Sequence, residues 1–269
     1  MEFLNGALFP FGLVLSFIYG LCMGSFANVC IYRMPLDKSV VRPLSFCPKC
    51  QNFIKWYDNI PVLSYIILGA KCRACKTPVS IQYPLIELLT GILFALVFWK
   101  YFFSVSFFLF LFMAFCLVVI SGIDYYHQII PDIFPLILFI TGILTAVFNE
   151  SLGITHIGRI INSLAGLLAG GGFLFVFGVI GKKIYKKDAL GGGDVKLMAG
   201  IGVIIGWEKV LFAIFIGALL ASIAGIILIF LKKLDRKGYM PFGPYLAAAA
   251  YMTLFLPPPT VFINKLFIM

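Results

Sequence analysis

An all-α polytopic membrane protein of about eight transmembrane helices is the fold class that this sequence predicts, and two observations predict it. The first is composition. Of 269 residues, 62% are hydrophobic and 12% charged, and the mean hydropathy is +1.05, far from the balance of a soluble domain. The second is the sorting of charge between apolar stretches. Segments long enough to cross a hydrocarbon core, about 18–25 residues, fall near 8–31, 83–99, 101–123, 131–148, 158–180, 209–231 and 241–263, with a shorter one at 195–206. With the N-terminus outside, the inside segments 32–82, 181–196 and 232–238 hold 17 of the 21 Lys and Arg residues. Only Lys100, Arg159, Lys209 and Lys265 then lie outside, as the positive-inside rule requires. Cytoplasmic loops beside anionic lipid account for the net charge of +10, so the partner implied is the lipid bilayer and no nucleic acid.

The first segment has neither a basic start nor a small-residue cleavage pattern, so residues 1–31 are expected to be retained as the first transmembrane span. Residues 32–82 form the one long polar segment and read as a cytoplasmic loop domain. Within it stand Cys47-Pro-Lys-Cys50 and Cys72-Arg-Ala-Cys75, separated by 21 residues. Each pair sets two sulfurs on a tight turn, and two such turns supply four thiolates at the corners of a tetrahedron, the arrangement structural zinc prefers. Disulfides are the alternative, and a reducing cytoplasm disfavours them. The loop is therefore expected to bind zinc through Cys47, Cys50, Cys72 and Cys75. Cys22, Cys30 and Cys116 lie in apolar spans and read as small packing residues. Residues 83–269 form the remaining bundle. Its segment 195–206 is too short to cross comfortably; Gly200, Gly202 and Gly206 allow close packing, a tilt or a re-entrant path.

Acidic residues number only eleven, and two of them end apolar runs. Asp124 follows 109–123 and leads into Tyr-Tyr-His-Gln-Ile-Ile-Pro-Asp; Asp194 follows Gly191-Gly192-Gly193 and precedes Val-Lys-Leu. A carboxylate beside hydrocarbon is costly and marks function by default. In the eight-span topology both fall at the cytoplasmic edge, at one depth. Two carboxyl groups that share a site do not ionise together, so one can take a proton from water while the other polarises a peptide carbonyl, which is aspartyl proteolysis. Gly191 and Gly193 would let a substrate backbone come close to Asp194. His127 reads as an interfacial polar cap, and Asp132 as an acid complementing the dipole of an early helix turn. Asn28, Arg33 and Glu87 are polar groups at span ends or within a span, open to either site or packing roles.

Taken in order, the blocks Gly24-Ser25-Phe26-Ala27-Asn28-Val29, Ile31-Tyr32-Arg33-Met34-Pro35, the paired cysteines, Trp56 to Tyr65, Tyr83-Pro84 with Glu87, Ile123-Asp124, Ile130-Pro131-Asp132, Gly191 to Leu197 and Pro241-Phe242-Gly243-Pro244 resemble the bacterial type IV prepilin peptidases. The resemblance covers nearly the whole chain. It implies that Asp124 and Asp194 are the catalytic pair of a Gly-x-Gly-Asp membrane protease, with glycine here also at the variable position. It implies prepilin and pseudopilin substrates cut after the glycine that ends a short basic leader, at the cytoplasmic face of the bacterial inner membrane. It further implies methylation of the new N-terminal residue, with S-adenosylmethionine as donor. No Gly-x-Gly-x-x-Gly turn follows a strand, and Gly170-Gly171-Gly172 within a span reads as helix packing, so no residue is assigned to that donor. A zinc-carrying transporter would spread acids through the bilayer depth, and a non-catalytic pilus assembly factor would tolerate loss of both aspartates.

Overall fold

The structure, a computed structural model, describes residues 2–186, 190–232, 240–257 and 260. Parts of the basic segments 181–196 and 232–238, and the end of the expected span 241–263, lie outside the described residues. Among those described, the chain is helical, with five helices long and apolar enough to cross a membrane. It divides into two compact units, Met1–Val119 and Ile120–Met269.

The first unit holds α1 (Glu2–Arg33), the short α2 (Leu63–Ile67), α3 (Gln82–Tyr101) and most of α4 (Val105–His127). A stripe of small residues four apart, Gly12, Ser16, Gly20 and Gly24, runs down α1 and meets α3. Side chains built at Gly20 and Gly24 would strike the α3 backbone at Gly91 and Glu87, and Ser16 Oγ donates to the Phe94 carbonyl at 3.0 Å. Lipid offers no hydrophobic drive to bring helices together, so close backbone approach and interhelical hydrogen bonds do so. One turn further, Asn28 Nδ2 donates to the Gly24 and Tyr83 carbonyls. Asn28 is thus a helix–helix contact as well as a polar group at the span end.

The second unit carries the end of α4, α5 (Ile133–Thr145), α6 (His156–Tyr185), α7 (Gly192–Ile205), α8 (Trp207–Phe230) and α9 (Gly243–Thr253). The expected spans at 131–148, 195–206 and 241–263 correspond to α5, α7 and α9, of 13, 14 and 11 residues. At about 1.5 Å per residue, α7 is about 21 Å long, short of the roughly 30 Å hydrocarbon core. Its length is explained by its surroundings. Gly202 lies against the Gly166 backbone of α6, Gly200 against Pro135 and Leu138 of α5, and Leu197, Met198 and Gly200–Ile205 are buried. Helix ends inside apolar surroundings need partners for their free carbonyls. Asn149 Nδ2 supplies one for Ile204 at 2.9 Å and Ser163 Oγ one for Val203 at 2.8 Å. Gly206, at φ +83°, then ends the helix.

Candidate active site and metal centre

The second unit brings together the two aspartates that the sequence singles out. Asp124 belongs to the last turn of α4 rather than following it, because α4 extends to His127. Asp194 sits in the first turn of α7, where the helix dipole favours an acid. Both are buried, 6% and 9% exposed, and Asp194 lies within the electrostatic field of Asp124. The backbone N–H of Gly243, the first residue of α9, donates to Asp124 Oδ2 at 2.8 Å. A Cβ at 243 would stand 2.7 Å from that oxygen, so only glycine lets the amide come so near. The sequence signal for this contact was the Pro241-Phe242-Gly243-Pro244 block, whose target no local pattern discloses.

Around Asp194 the three glycines differ. A Cβ at Gly191 would meet the Asp194 carboxylate at 3.0 Å, one at Gly193 would meet Ile130 at 3.0 Å, and one at Gly192 would meet nothing within 4 Å. Asp132 occupies the N-cap position of α5 but makes no capping bond. Both its oxygens accept instead from Lys196 Nζ, at 2.8 and 2.9 Å. Its role is thus an ion pair tying α5 to α7. Both side chains are largely exposed, so the pair is worth at most about 1 kcal/mol. His127 is exposed.

In the first unit the four loop cysteines converge, their sulfurs all within 4.8 Å of one another. Cys47 and Cys75 are 3.8 Å apart, the edge of a tetrahedron with metal–sulfur bonds of about 2.3 Å. The two turns are built alike, offset by 25 residues in the chain. Cys47 N–H bonds the Asn52 carbonyl and Cys72 N–H the Thr77 carbonyl; Ile54 pairs with Ser45 as Val79 does with Ala70. Gln51 and Lys76, one after each second cysteine, share a positive φ of 59° and 57°. This duplication, unrecognised in the sequence, makes a pair of knuckles that can hold one metal ion. The Thr77 hydroxyl and N–H bring the Cys75 thiol down to about 6, and N–H groups of Cys50 and Lys49 lower Cys47. Both effects favour the thiolates that metals bind. Arg73 of the second knuckle makes a two-pronged pair with Asp58, at 2.8 and 2.6 Å, which holds the Asp58 carboxyl below its usual range. It joins the knuckle to the short 3₁₀ turn Trp56–Asn59. Arg33, expected at the inner membrane edge, is buried and donates to the Ser39 and Pro43 carbonyls, shaping the start of the same loop.

Two family models match successive parts of the chain. Residues 18–101 match the bacterial peptidase A24 N-terminal domain, and residues 110–230 match the type IV leader peptidase family. Over 91% of both chains, the sequence is 33% identical to a prepilin leader peptidase/N-methyltransferase of Neisseria gonorrhoeae. The chain belongs to the type IV leader peptidase family. A relative of the same name from Pseudomonas aeruginosa is 32% identical over 91% of both chains. One from Myxococcus xanthus is 35% identical over 84% of this chain and 66% of its own length. No solved structure matches the chain. Within this family frame the leader-peptidase match spans Asp124 and Asp194, and the N-terminal match spans the cysteine cluster together with α3.

Proposed function

We propose that this protein cleaves the short basic leader from type IV prepilin and pseudopilin precursors by a two-aspartate mechanism, and N-methylates the residue so exposed. The relatives' shared name, prepilin leader peptidase/N-methyltransferase, supports both activities. The observation that carries the peptidase is the pair of buried carboxylates, Asp124 and Asp194, delivered from separate helices so that Asp194 lies in the field of Asp124. Where two buried carboxyl groups repel each other, one carries a proton and the other is an anion. The anion takes a proton from water, whose oxygen attacks the scissile carbonyl carbon while the neutral carboxyl donates a hydrogen bond to the carbonyl oxygen. As the tetrahedral species collapses, the C–N bond breaks and the amine leaves with a proton. Gly243 N–H fixes one oxygen of Asp124 in this geometry, and Gly191 and Gly193 keep the backbone slim where an extended substrate approaches Asp194.

Cys47, Cys50, Cys72 and Cys75 would hold one structural zinc that orders the loop domain 32–82, and S-adenosylmethionine would supply the methyl group. The bundle 83–269 carries the protease. Charge sorting supports eight spans in the bacterial inner membrane with both aspartates at the cytoplasmic face. There a substrate whose leader is in water and whose apolar helix is in lipid presents its scissile bond.

Incubation of the purified protein with a prepilin and S-adenosylmethionine, followed by mass spectrometry, tests both activities. Asp124→Asn and Asp194→Asn should each lower leader cleavage by orders of magnitude with the fold retained. Near wild-type cleavage in either variant removes that residue from the dyad. A non-catalytic assembly factor would keep its function with both replaced.

A further inference from the structure

The loop 32–82 is the polar part of the chain, yet its one short helix presents apolar side chains outward. Along α2 (Leu63–Ile67), Leu63, Ile66 and Ile67 stand three and four residues apart, on one face of a helical turn. They are 56%, 67% and 77% exposed. On the opposite side Ser64 is buried, and its Oγ donates to the Tyr57 carbonyl at 3.0 Å. That bond ties α2 to the 3₁₀ turn Trp56–Asn59, whose Trp56 is 80% exposed. Apolar side chains exposed singly are ordinary, but a patch gathered on one face marks a contact surface.

The depth of α2 identifies what covers it. Val62, the residue just before α2, donates its N–H to Glu87 Oε2 at 2.7 Å. Glu87 lies five residues beyond Gln82, the first residue of α3, or about 7.5 Å along that helix. With 20 residues, α3 is about 30 Å long, a length that the hydrocarbon core takes up in full. The loop therefore folds back to the depth of a membrane span, and α2 starts there. Leu85, Leu88 and Leu89 of α3, around Glu87, are exposed as a lipid-facing surface should be. Backbone at such a depth must satisfy itself. The N–H groups of Ser64, Ile66, Leu68, Gly69 and Ala70 donate to the carbonyls of Ile60, Val62, Ser64, Ile66 and Tyr65. Charge agrees with depth. Residues 32–82 hold eight Lys and Arg against two Asp, and Lys55 and Lys71, both exposed, bracket the patch. Long cationic side chains reach phosphate headgroups while apolar neighbours sink below them.

We propose that α2 and Trp56 are buried in the lipid interface, where they hold the loop and its cysteine knuckles against the membrane; the partner is an anionic bilayer surface. Tryptophan suits that boundary because its ring is apolar and its N–H polar. Interfacial amphipathic helices sink about 5–10 Å, which matches the depth of Val62. The chain then turns away through Gly69 and Ala70, at φ +60° and +59°, and enters the second knuckle at Cys72. The inference needs neither enzymatic activity; it rests on α3 crossing the membrane.

The test uses the full-length protein carrying Trp99→Phe and Trp207→Phe, which leaves Trp56 as the sole tryptophan, in vesicles of phosphatidylethanolamine and phosphatidylglycerol. Trp56 emission should be quenched more by lipids brominated near the headgroup than by lipids brominated near the chain ends, and little by iodide in the water. Iodide quenching equal to that of free tryptophan, with no effect of brominated lipid, overturns the proposal. In the same protein, Ile66→Asp together with Ile67→Asp should raise iodide quenching of Trp56; unchanged protection would show that α2 does not hold the turn in lipid. p-Benzoylphenylalanine incorporated at position 67, which keeps that side chain apolar and the fold undisturbed, should photocrosslink to phospholipid, read as the mass of the adduct. Adducts only to a second copy of this chain or to a prepilin would mean that protein covers this face, and they overturn the proposal, as does the absence of any lipid adduct.

Discussion

Replacing Gly243 by alanine is expected to slow leader cleavage by about 10–100-fold while leaving the protein folded. The new Cβ would stand 2.7 Å from Asp124 Oδ2, about 0.7 Å inside ordinary contact, and 3.2 Å from the carboxylate carbon. The crowded oxygen is the one that accepts the Gly243 N–H at 2.8 Å. Either the carboxylate turns away or α9 backs off, and in both cases the bond is lost. A hydrogen bond to a charged acceptor is worth about 1.5–3 kcal/mol, or roughly 10–100-fold at 1.4 kcal/mol per decade. A misplacement of about 1 Å in a catalytic group costs around 100-fold by itself, so two separate estimates agree. Local folding argues the other way: position 243 opens a helix, where alanine is preferred to glycine by up to about 1 kcal/mol. Initial rates on purified prepilin in detergent, taken across substrate concentration, separate kcat from KM. The loss should fall on kcat, with the melting temperature held. A wild-type kcat in Gly243→Ala would show that the amide contact does not position Asp124, and the reasoning would fail.

Elemental analysis of the purified protein should find about one zinc per chain, lost in Cys47→Ser and Cys75→Ser; full retention of metal in those variants would refute the four-sulfur site. Lys196→Ala should change stability by less than about 1 kcal/mol, because its pair with Asp132 is exposed, and a large fall in melting temperature would contradict that. Gly202→Leu should prevent stable folding, since its side chain would strike the Gly166 carbonyl across the α6–α7 contact and overpacking against backbone costs at least about 1–3 kcal/mol. Normal yield and melting of Gly202→Leu in detergent would show that the two helices are not held so close.

Much of this protein is legible along the chain because membranes and metals impose short-range rules. Twenty apolar residues in a row can only be helix in lipid, so α1, α3, α4, α6 and α8 announce themselves by length and hydropathy. Two Cys-x-x-Cys turns disclose a four-sulfur cluster able to hold a metal ion because each turn alone sets its two sulfurs, and the rarity of acids in this composition makes Asp124 and Asp194 conspicuous. Tertiary structure decided what depends on partners distant in sequence. That α7 can be 14 residues long follows from Asn149 and Ser163, which take up its terminal carbonyls. That Asp132 serves an ion pair instead of a helix cap follows from Lys196, 64 residues on. Gly243 reaches Asp124 across 119 residues, Glu87 meets the Val62 N–H ahead of α2 across 25 residues, and Asn28 meets Tyr83 because a stripe of small residues lets α1 lie against α3. Local sequence sets which segments are helices and which groups are reactive. Only the packing of those helices determines which reactive groups meet, because that outcome is fixed by complementary surfaces that no single segment contains.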